Sequence, residues 1–155
     1  MSCGIAIAAA LLLSDPNVAL ATAEPAAVAG APVSVASEPL FIEIVTRSAE
    51  LKALVDGWNG TPTDFGAFRT RATELAALDM QAHLILKERG TDGDLKCILR
   101  GISEDIPLKV SAVETAATDE ARRTALSELS YLLNDNVEVI TTPPQPDAQS
   151  GVPAG

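Results

Sequence analysis

At 155 residues, 47% of them apolar, the chain is the size of a single domain with enough apolar content for a core. Aromatics make up only 3%, and Ala supplies much of the apolar count, which favours packed helices over a β-sandwich. The formal net charge of −10 is spread along the sequence and argues against nucleic acid or an anionic membrane surface as a partner, since both need a basic footprint.

Gly4 to Leu13, "GIAIAAALLL", is uncharged and apolar. It is shorter than the roughly 20 residues that span a bilayer, and it fits the apolar region of a secretory signal. Ala21-Thr22-Ala23 supplies a small-x-small cleavage pattern, with the cut expected after Ala23. No Lys or Arg precedes the run, and the polar stretch before the cut is long for a signal. On this reading residues 1–23 are signal-peptide-like, and the product is periplasmic or secreted with no stable membrane anchor. Residues 24–38, rich in Ala, Pro, Val and Ser, are expected to be a flexible spacer.

Four helices are expected between 39 and 140. The first runs from Leu40 to Trp58, with Phe41, Ile44, Val45, Ser48, Leu51, Val55 and Trp58 on one face and Pro39 at its start. "NGTP" then turns the chain. The second opens at Thr63, with Asp64 in its first turn, and stops at Gly90; its stripe is Phe65, Phe68, Ala72, Leu75, Ala82, Ile85 and Leu86. The third begins near Thr91 or Asp92 and ends near Ala116. Leu95, Ile98, Leu99, Ile102, Ile106, Val110 and Val113 form its stripe, with a kink expected at Pro107. The fourth is capped by Thr118 and carries Arg122, Ala125, Leu126, Leu129, Leu132 and Leu133 on one face. "NDN", Asn134 to Asn136, is a candidate stop that would leave "VEVI" extended. The Pro-rich 141–155 reads as a disordered tail. Short connections make neighbouring helices antiparallel, so the fold class is all-α, an antiparallel up-down four-helix bundle.

Cys97 falls about 200° from Leu95 on the third helix, in a row with Gly101 and Leu108 and away from the stripe. Cleavage after Ala23 would remove Cys3 and leave Cys97 as an odd cysteine. That face is therefore a candidate for an intermolecular disulfide or contact, with a homodimer as one outcome. The competing reading is a small, partly buried hydrophobe. Asp79 and His83 are four apart and share a helix face, half a metal site at best. A haem on His83 is the alternative function. Met80 lies on the same turn as His83, so the two cannot ligate opposite sides of one ring. Enzyme signatures are missing: no Gly-x-Ser-x-Gly, no Walker A, no Glu-x-x-His pair and no Cys-x-x-Cys-His. The reading that follows is a small acidic exported bundle, non-enzymatic, without a cofactor, acting through contacts with a protein partner in the cell envelope.

Overall fold

A computed structural model describes residues 34–90 and 93–142. The signal-like segment with Ala23, most of the spacer and the tail beyond Thr142 lie outside the described residues. The four helices are α1 (Pro39–Gly57), α2 (Phe65–Glu88), α3 (Leu95–Thr115) and α4 (Asp119–Thr141).

Side-chain pairs between the helices set their directions. Arg47 meets Glu74 and Glu50 meets Arg71, so advancing along α1 means retreating along α2. The same reversal relates α2 to α3 through His83 with Lys96 and Arg69 with Glu114. It relates α1 to α4 through Ser48 with Asn136 and Asp56 with Ser130. The bundle is therefore up-down-up-down. Each helix packs on two neighbours, with α1 diagonal to α3 and α2 diagonal to α4.

The core is the apolar stripe expected of each helix. Phe41, Ile44, Leu51, Phe68, Leu75, Leu99, Ile106, Leu129 and Leu133 are buried together. One end is closed by the rings of Trp58, Phe65 and Phe68, with Trp58 edge-on to Phe68 at 4.8 Å between centroids. The seam between α1 and α2 is the loosest of the four. Ion pairs of half-exposed side chains bridge it; each such pair contributes about 0–1 kcal/mol, so burial against the core does most to hold α1.

Four local features differ from the sequence expectation. The folded part begins ahead of Pro39: Val35, assigned to the spacer, is 1% exposed and lies in the core. A turn follows it, with Glu38 N–H donating to the Val35 carbonyl. The Glu38 carboxylate then receives both terminal nitrogens of Arg89 at 2.8 Å, tying this entry segment to the end of α2. Second, Asp64 precedes α2 rather than lying in its first turn. Its φ of 52° places it in the left-handed region, which Asp tolerates better than most residues. Third, α3 begins at Leu95, with Asp94 ahead of it, not at residue 91 or 92. Pro107 sits inside α3, where the sequence places it. It deprives the carbonyl of buried Ser103, one turn back, of its usual donor. Fourth, α4 passes through Asn134-Asp135-Asn136 as helix, and Val137 to Ile140 are helical rather than extended. Thr118 caps α4 as expected, accepting from Ala121 N–H at 3.1 Å.

Candidate functional site

The apolar stripes carry polar residues at three facing positions. Ser48 of α1, Asp79 of α2 and Asn136 of α4 are each 0% exposed. Helical spacing puts them there. Ser48 lies between Ile44 and Leu51, Asp79 between Leu75 and Ala82, and Asn136 between Leu133 and Ile140. The Asn136 amide spans the network, donating from Nδ2 to Asp79 Oδ2 at 2.9 Å and to Ser48 Oγ at 3.1 Å. The link from Asp79 to Asn136 crosses the bundle along its α2–α4 diagonal.

Burial pushes the Asp79 carboxyl up from 3.8 to about 8, opposed by the hydrogen bond from Asn136. No charged side chain contributes to the shift. Asp79 is therefore neutral at pH 7. Two buried oxygens, Asp79 Oδ1 and Asn136 Oδ1, have no donor partner while the acid is ionised. Protonation converts this pair of acceptors into one O–H donor and one acceptor, the complement that a carboxylic acid and an amide offer each other.

His83 lies one turn beyond Asp79 and is 7% exposed. Its Nδ1 is 2.6 Å from the Lys96 carbonyl at the start of α3. A carbonyl only accepts, so Nδ1 carries the proton and donates. This fixes the ring and leaves Nε2 as the nitrogen with ligand capacity. Asp79 and His83 do share a buried face, but Asp79 is protonated and bonded to Asn136. Among the described residues no three of His, Cys, Asp and Glu gather around a common point.

The outer row of α3 is mixed in exposure. Leu108 is 65% exposed, and a side chain at Gly101 would meet open space. Cys97 is half-buried and disulfide-bonded. The chain's other cysteine, Cys3, lies outside the described residues. The His83–Lys96 contact also brings α2's imidazole to the turn that carries Cys97, a proximity with no signal in the sequence.

The geometry defines a four-helix bundle with a buried polar network and an exposed leucine, Leu108, on α3. No family model, curated protein or solved structure matches the chain. Among the described residues no helix is long and apolar enough to cross a membrane.

Proposed function

We propose that this protein is a non-enzymatic helical bundle, exported to the periplasm or beyond, that acts by docking on another protein in the cell envelope. The outer row of α3 is the contact face. The observation that carries the reading is Leu108, a large apolar side chain two-thirds exposed on the same row as the open Gly101 and Cys97. The chemistry of Cys97 fits an oxidising compartment. Its bond partner depends on processing. A chain that keeps residues 1–23 has Cys3 available, whereas one cut after Ala23 can bridge only to another chain, a second copy included. Cross-linking in an envelope fraction tests the docking. Leu108→Asp should abolish a cross-linked species that the unaltered protein forms, and an unchanged cross-link pattern would overturn the assignment of this face.

A second reading rests on one observation, the His83 ring held through Nδ1 by the Lys96 carbonyl with Nε2 left over. That orientation suits a single imidazole ligand to haem or a metal. An absorbance spectrum decides it: a Soret band lost in His83→Ala supports this reading, and its absence after incubation with haemin rejects the haem form.

A further inference from the structure

A cleft of about 510 Å³ opens between the end of α1 and the first half of α4, at the aromatic end of the bundle. Its volume is within the range of small-molecule sites. The wall includes one guanidinium, Arg123, and one carboxylate, Asp56. These two do not pair. Lys52 Nζ takes Asp56 Oδ2 at 2.6 Å, and Ser130 Oγ donates to Asp56 Oδ1 at 2.6 Å. Both hydrogen bonds, that from Lys52 being the stronger influence, hold the Asp56 carboxyl below its usual range. Both oxygens of the acid are thus engaged by other groups.

Arg123 is the one arginine among the described residues that forms no ion pair. Arg47, Arg69, Arg71, Arg89, Arg100 and Arg122 each have a carboxylate. A second cleft, of about 440 Å³ on the α1–α2 seam, makes the contrast. It holds two arginines, and each is neutralised by a glutamate on the facing helix. In a chain of net charge −10, an arginine left unpaired inside a cleft is the exception. The α1–α2 turn also runs beside its stem. Gly60, with φ of 90°, brings the α1–α2 turn so close that an added Cβ would lie 3.2 Å from Arg123 Cγ. Tyr131, a residue 73% exposed, completes the wall.

We propose that this cleft binds a small organic carboxylate, with Arg123 as its anchor and the Tyr131 ring against its apolar body. A guanidinium presents two parallel N–H donors that match a carboxylate. One unpaired cation suits a monoanion, and the ionised Asp56 on the same wall opposes a doubly charged phosphate. The exposed ring offers a flat apolar surface to the remainder of the ligand.

The test is a ¹⁵N NMR titration of the full chain with sodium benzoate, alongside sodium phosphate and sodium chloride at equal ionic strength. The expected result is saturable shifts at the Arg123 side chain and the Gly60 and Ser127 amides with benzoate, and linear drift with chloride. Arg123→Gln should weaken benzoate binding at least tenfold. The side chain is exposed, and an unchanged circular dichroism spectrum certifies the fold. Arg123→Lys should retain part of the binding, and Lys87→Gln, at the far end of α2, all of it. Benzoate shifts that drift like those of chloride, or binding untouched by Arg123→Gln, would overturn the proposal. So would phosphate binding more tightly than benzoate.

Discussion

Replacing Asp79 with asparagine should make the protein more stable, by an amount that depends on pH. The native carboxyl titrates near 8 and an ordinary aspartate near 3.8. Below the lower value both folded and unfolded chains hold the proton. Between the two values the unfolded chain has released it and the native protein has not, so stability falls by about 1.4 kcal/mol per pH unit as pH rises. Across the interval the loss sums to roughly 5–6 kcal/mol, and above about pH 8 it levels off. A domain of this size commonly has about 5–15 kcal/mol in total, so the term is large. Asparagine keeps the shape, does not ionise, and offers an N–H in place of the protonated acid's O–H. At pH 7 Asp79→Asn should therefore be more stable by up to about 4 kcal/mol. Urea unfolding of both proteins at half-unit steps from about pH 5 to pH 9 measures this. The difference should grow with pH and flatten near 8. Glu38 and Asp56, whose carboxyls are held low by Arg89 and by Lys52 with Ser130, act in the opposite sense and only in acid, below the ordinary carboxylate range. They leave the difference untouched. A constant offset between the two curves would refute the buried, neutral Asp79.

Three further outcomes follow from the same packing. Asn136→Ala strips Asp79 of its donor and leaves a cavity, and should cost about 2–4 kcal/mol in urea unfolding, with much of the loss cancelled when Asp79→Ala is added. Leu129→Ala, at a fully buried position of α4, should cost about 2–5 kcal/mol in the same assay. Thr118→Ala removes the cap that Ala121 N–H uses and should cost about 1 kcal/mol, with amide exchange accelerated in the first turn of α4 alone.

The helices were legible because their apolar residues recur at three and four, and a stripe that regular needs no tertiary information. The polar network was half legible. Asp79 stands four after Leu75 and three before Ala82, and Asn136 stands three after Leu133 and four before Ile140, so spacing alone puts both on the buried faces. Composition conceals this, because a carboxylate and an Asn-Asp-Asn run look solvated and helix-breaking. Burial neutralises the first, and bonding to Asp79 and Ser48 carries the helix through the second. Asn134 helps by donating to Glu138 one turn on. The His83–Lys96 contact and the burial of Val35 depend on which segments meet, and no local pattern encodes that. The same holds for Arg123, which has no ion pair among the described residues while Lys52 and Ser130 engage Asp56.

The most direct test of an exported, contact-making bundle is an intact native mass spectrum of protein taken from an envelope fraction without reductant. The expected spectrum shows a chain that starts at Glu24, bound to a second copy or another protein through Cys97 and released by reduction. A monomer that keeps Met1, with Cys97 closed on Cys3, would contradict export with cleavage and the use of Cys97 between chains.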